Sequence, residues 1–174
     1  MPGKVIGRSF NFGYPGQIAR QPDDVVRTRP VAEGAVGINF GDPVVINGDG
    51  SVEKFGTEAG VIYKASQFAG VAARRIKSAT SYPNQELGVY LELEPCDVIQ
   101  RGSVSVQVNY GTPLVGSSVY IRVQANPAIP SGIIGGFEAT ADGENSIELT
   151  NSKWGTGKDS NGVAELVILT RQGV

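Results

Sequence analysis

The sequence predicts an all-β protein: an antiparallel β-barrel or sandwich with an extended N-terminal arm and long loops. Three observations carry that expectation. Segments alternating between apolar and polar residues at period two recur at short spacing. Gly at 24 residues and Pro at 10 favour many turns. No long stretch has the apolar stripe of an amphipathic helix, and closing the sheet would hide its edges. The 174 residues suit one domain, read as an arm over 1–30 and a single β-barrel domain over 31–174.

The arm is singular in composition. In SFNFGYPGQIAR, residues 9–20, Phe10, Phe12 and Tyr14 alternate, which places three rings on one side of an extended backbone. Gly13, Pro15 and Gly16 argue against a central strand of the chain's own sheet. Lys4, Arg8, Arg20, Arg27 and Arg29 against Asp23 and Asp24 give residues 1–30 a net charge of +3, leaving −5 for the remainder. The rings alone cannot offset the entropy of ordering this backbone. Phe10, Phe12, Tyr14, Ile18, Arg20, Val25, Val26, Arg27 and Arg29 are therefore expected to meet an acidic surface of another subunit, a sibling copy or a different protein, and the free arm is expected to be protease-sensitive.

After Pro30 the pattern becomes that of short strands. A strand is expected around Val36–Phe40, a turn at Gly41-Asp42-Pro43 and a strand at Val44–Ile46. Asn47-Gly48-Asp49-Gly50 is a hairpin turn. It lacks the ligand spacing and terminal Glu of a calcium loop. A helical turn near Lys64–Phe68 precedes a strand in AGVAARRI. LGVYLELEP alternates, with Leu87, Val89, Leu91 and Leu93 expected on one face and Tyr90, Glu92 and Glu94 on a solvent-facing side.

GSVSVQVNYG points Val104, Val106, Val108 and Tyr110 inward, and Ser103, Ser105, Gln107 and Asn109 outward. GTPLVG is a turn. SSVYIRVQA sets Val119, Ile121, Val123 and Ala125 against Tyr120, Arg122 and Gln124. Two long loops follow, at residues 126–146 and 151–162. Loops of that length are usually functional or mobile. Their apolar residues Ile129, Ile133, Ile134, Phe137 and Trp154 are expected to be covered by a partner, Trp154 also anchoring its loop to the body. VAELVILT, almost entirely apolar, reads as a final strand covered on both sides.

Tests for chemistry fail. The chain has no His, which removes the commonest general base and metal ligand. Cys96 is the single Cys and reads as a buried filler. WGTGKDS suggests a phosphate loop, but Ser152 stands where its first Gly belongs and Asp159 replaces the hydroxyl residue after Lys158. No catalytic, metal or cofactor residues are assigned. Five spread cations are too few for a nucleic-acid footprint, no apolar run is long enough to cross a membrane, and MPGKVIGRSF lacks a signal peptide's apolar core.

The order of these segments resembles the structural cement, or head decoration, proteins of tailed bacteriophages. The features that carry it are the leader PGQIARQPDDVVRTRP, then INFGDPVV, FAGVAARRI, YPNQELGVYLELEPCDVIQRGSVSVQV and TNSKWGTGKDSNGVAELVILT. LEPCDVIQRG departs from the plainer basic turn of relatives, as does the loop around 126–146. The resemblance implies a β-tulip-like barrel and a non-enzymatic homotrimer. It would bind the major capsid protein on the outer surface of the virion, stabilise the expanded head, and need no cofactor, nucleic acid or membrane. The alternative is a carbohydrate- or receptor-binding β-module using Tyr90, Tyr120 and Trp154.

Overall fold

The computed structural model describes residues 11–56, 63–75 and 87–171. The strands are β1 Ile18–Pro30, β2 Ile38–Asn39, β3 Pro43–Ile46, β4 Val52–Lys54, β5 Phe68–Ala72 and β6 Val89–Tyr90, followed by β7 Pro95–Tyr110, β8 Ser118–Arg122, β9 Phe137–Glu138, β10 Ser146–Trp154 and β11 Val163–Ile168. The all-β prediction holds, with only 3-10 turns at Ala65–Gln67 and Gly143–Asn145 between strands of the described residues.

β7 organises the molecule. It pairs with β11, which continues through β10, β8 and β9 back to β7 and closes a barrel. The β7–β9 pairing is parallel, an exception to the expected antiparallel pattern. A second set, β5-β3-β4, extends from β7 outside the barrel, and β2 and β6 form a separate small sheet. The β3–β4 hairpin turns at Asn47–Gly50 as expected, with the Ser51 N–H and hydroxyl both donating to Asp49.

The strands enclose two cores, and β3 and β5 contribute side chains to both. Val104, Val106, Val119, Ile121, Leu149, Trp154 and Leu166 fill the barrel. Val31, Ile38, Val44, Val52, Ala72, Tyr90, Cys96 and Val98 fill the second core. β7 serves both because its register against β1 slips at Gln100, between the pairs Val26–Ile99 and Val25–Arg101. The extra residue shifts side-chain parity, so Ile99 and Val104 both reach the barrel.

Several local expectations are corrected. LEPCDVIQRG, noted as a departure from the basic turn of relatives, forms no turn from Pro95 onward: Cys96, Val98 and Gln100 continue a single strand from Pro95 to Tyr110. LGVYLELEP is a two-residue strand followed by a turn, with Leu93 at φ 62°. The predicted faces hold only in part: Glu92 is exposed as expected, but Leu87 and Leu93 are exposed too, whereas Tyr90 and Glu94 are buried. Tyr90 donates its hydroxyl to the Ala73 carbonyl at 2.7 Å, and burial raises its pKa. Ser103 and Ser105 are buried as well, because residues 12–20 lie across them.

The chain's own β7 supplies what the ring-burial argument left out. β1 runs antiparallel along β7 from Ile18–Val104 to Pro30–Pro95, and Gly16 and Gln17 extend this pairing to Ser105. Backbone hydrogen bonds, not the rings, therefore order residues 16–30. Between Arg20 and Val25 the strand bulges outward, and the bulge needs Gly102. A Cβ there would lie 2.9 Å from the Asp23 carbonyl, and its φ of +112° disfavours any other residue.

Candidate docking surface

Side chains fasten the segment before β1, and the start of β1 itself, to the body at three points. The Phe12 N–H donates to Asp159 Oδ2 at 2.9 Å, and the Phe12 carbonyl accepts from Ser105 Oγ at 2.5 Å. Tyr14 lies under the Arg74 guanidinium, which is shared with Phe40. Arg20 Nε contacts both Glu165 oxygens, at 2.8 and 3.0 Å. The Glu165 hydrogen bond, with its charge second, raises the Arg20 pKa. Asp159 is partly desolvated, but the N–H groups of Phe12, Val163 and Asn161 outweigh that and hold its carboxyl below the ordinary range. This explains the Asp after Lys158 that excluded a phosphate loop: it joins the β10–β11 turn to the N-terminal segment.

The other candidate region is the loop 123–136, tied down by Arg122. This side chain was expected outside, yet it is fully buried. Its Nε and Nη2 meet Glu138 at 2.6 and 3.1 Å, and Nη1 meets Asp142 at 2.8 Å. Burial opposes its charge, but the Glu138 and Asp142 hydrogen bonds prevail and its pKa is raised. Burial raises the Glu138 pKa despite Arg122, whereas hydrogen bonds from Asn126 and then Arg122 lower that of Asp142. Arg122 also holds the loop through its backbone, donating to Gly136 and accepting from Gly135. Gly132 passes so close that a Cβ would sit 2.2 Å from Arg122 Nε. The loop is therefore a fixed platform carrying Ile133 and Ile134 on its surface.

The predicted contact residues divide sharply. Phe10 lies outside the described residues. Phe12 and Tyr14 are 36% and 65% exposed, so their rings are not buried at home. Ile18, Val25 and Val26 are half-buried, and Ile18 and Val26 pack against the barrel core. Arg27 is exposed, and Arg29 is half-buried with Nη1 donating to the Gly50 carbonyl. In the loop, Ile133 and Ile134 are exposed and Ile129 is half-buried.

Phe137 is a correction, and Trp154 is one only as a partner contact, since its burial is that of the expected anchor. Both are buried in the barrel, Phe137 edge-on to Phe68, because β9 and the end of β10 belong to the barrel wall rather than to loops. Trp154 and Tyr90, both enclosed, offer no platform to a sugar. Sequence reasoning missed Leu114 and Val115, 67% and 77% exposed on the β7–β8 turn. Two adjacent apolar residues between Pro113 and Gly116 were the available signal. Among the described residues no cluster of three or more His, Cys, Asp or Glu is placed to hold a metal ion.

Comparison with known proteins follows the same line. A family model described as "Structural cement protein (E217 gp24/Pam3 gp6)" matches residues 2–169. No curated protein matches the sequence. In three dimensions the fold is similar to a chain of "The capsid of Myoviridae Phage XM1", with a TM-score of 0.61, 18% identity and 95% of each chain covered.

Proposed function

The chain belongs to the phage structural cement protein family, and on that premise we propose that it binds the outer surface of the major capsid protein lattice and stabilises the expanded head. Its role is structural and associated with the capsid. The observation that carries the reading is the family match, which spans both the N-terminal segment and the barrel. The geometry is compatible with it. A rigid barrel presents apolar side chains at fixed loop tips, Ile133 and Ile134 on one and Leu114 and Val115 on another. Such side chains are suited to cover by another protein.

The physics of bracing a shell asks little of each contact. As a homotrimer the protein would engage several lattice sites at once, and high effective concentration would make weak individual contacts strong together. Binding that favours the expanded lattice stabilises that state by mass action. The test is co-sedimentation of the full chain with expanded heads that lack it, followed by heating of the loaded heads. Saturable binding and a raised rupture temperature are expected. A folded sample that stays in the supernatant would overturn the reading.

A further inference from the structure

Among the described residues β1 pairs with β7 and with no other strand, so its second edge is open there. Register identifies the groups on that edge. The Val31 N–H donates to Glu94, in step with the pairs Arg29–Cys96 and Arg27–Val98. On the far side of β7, the Asp97 carbonyl accepts from Ala73. Asp97 and Ile99 therefore turn toward β5, and their β1 partners Thr28 and Val26 turn their N–H and C=O away from the sheet. The bulge after Arg20 closes this edge at one end. Pro30 and the Gly50 turn, joined through Arg29, close it at the other.

Two cations flank the open groups. Arg27 is exposed, whereas Arg29 is half-buried, with Nε enclosed and Nη1 held by Gly50. We propose that the Val26–Thr28 edge of β1 receives an extended acidic segment of the capsid shell protein, added as a further strand with carboxylates facing Arg27 and Arg29. Main-chain hydrogen bonds supply the hold and the arginines the selection. A second copy of β1 does not fit: antiparallel pairing of two such edges centres Arg27 on its own mate and sets like charges opposite. The inference rests on the cement reading and adds the place and chemistry of one contact.

Thr28→Pro tests it directly. The lost N–H points away from β7, so the strand keeps its own ladder, while the ring removes the donor and blocks an added strand. Thr28→Val keeps the N–H and controls for the hydroxyl. With both variants folded by circular dichroism, Thr28→Pro should bind protein-depleted expanded heads about tenfold or more weakly, and Thr28→Val as the parent does. Arg27→Glu should also weaken binding and flatten its salt dependence. Hydrogen exchange of residues 25–30 should slow on the heads. Equal binding by Thr28→Pro and the parent overturns the edge proposal alone. Failure of the parent chain to bind overturns the cement reading and the proposal with it. If Thr28→Pro instead dissociates an oligomer of the free protein, a second copy occupies the edge and the proposed partner is wrong.

Discussion

The Arg74 guanidinium sits over two rings, 4.9 Å from the centroid of Tyr14 and 5.6 Å from that of Phe40. One ring belongs to the N-terminal segment and the other to the body, so a single cation joins them. An exposed contact of this kind is worth about 0.5–1 kcal/mol. Arg74→Ala should therefore raise the rate of tryptic cleavage after Arg20 by about two- to fivefold, with little change in melting temperature. An unchanged rate would show that Asp159, Glu165 and the bonds to Ser105 hold the segment without the cation.

The buried Arg122 makes a larger claim on stability. Removing one partner of an enclosed ion pair typically costs about 3–5 kcal/mol, because the other charge is left unpaired. Arg122→Ala should lower the melting temperature by about 10 °C or more. Gly132→Ala leaves the charges in place but drives a methyl into Arg122. It should release the loop, visible as faster exchange over residues 126–136. A Gly132→Ala protein with the parent's exchange pattern would contradict the platform description.

What the sequence disclosed follows from how local each signal is. Alternation in Val104, Val106 and Val108 and in Val119 and Ile121 reports one buried face, and the barrel walls were legible from it. Asn47–Gly50 declares its turn through residues that tolerate its geometry. Tyr90 and the leucines around it misled because alternation continues through a turn that one positive φ at Leu93 creates. Arg122 was unreadable because its carboxylates stand 16 and 20 residues away. The edge role of β1 depends on the pairing of Val26–Thr28 with Asp97–Ile99, far along the chain, which periodicity cannot express. Of the candidate contacts, the exposed Phe12, Tyr14, Arg27, Ile133 and Ile134 came from composition. Phe137 and Trp154 were misplaced because their strands looked like loop.

Acid should loosen the molecule through identifiable carboxyls. Asp49 is held below its ordinary pKa by the Ser51 hydroxyl and backbone, Asp142 by Asn126 and Arg122, and Asp159 by backbone N–H groups despite some burial. A depressed folded pKa gives stability that is complete above the unfolded value, about 3.9, and is lost as pH falls through the folded value. Glu138, raised by burial, contributes in the opposite sense. The urea midpoint should fall between pH 5 and pH 2, about 5 and 2 being the practical bounds of that titration. Asp159→Asn should fall less steeply across the same range. An equal slope would remove Asp159 from the account.

Cys96 supplies the last test, because its thiol reports on β1. It is fully buried beside Val98 in the second core and lies opposite Arg29 in the β1–β7 register. Burial, and then the Asp97 charge, push its pKa well above the ordinary thiol value. The thiolate is the reactive form, so the native protein should resist a disulfide reagent that labels the unfolded chain stoichiometrically. Labelling must then proceed through opening, and its urea dependence shows how much of the fold opens. Ile18 and Val26 pack against the barrel core, so β1 should leave only as the barrel unfolds. The labelling rate should therefore rise with urea as steeply as global unfolding does. A shallow dependence would mean that β1 peels away by itself, making its pairing with β7 a local equilibrium rather than part of the cooperative core.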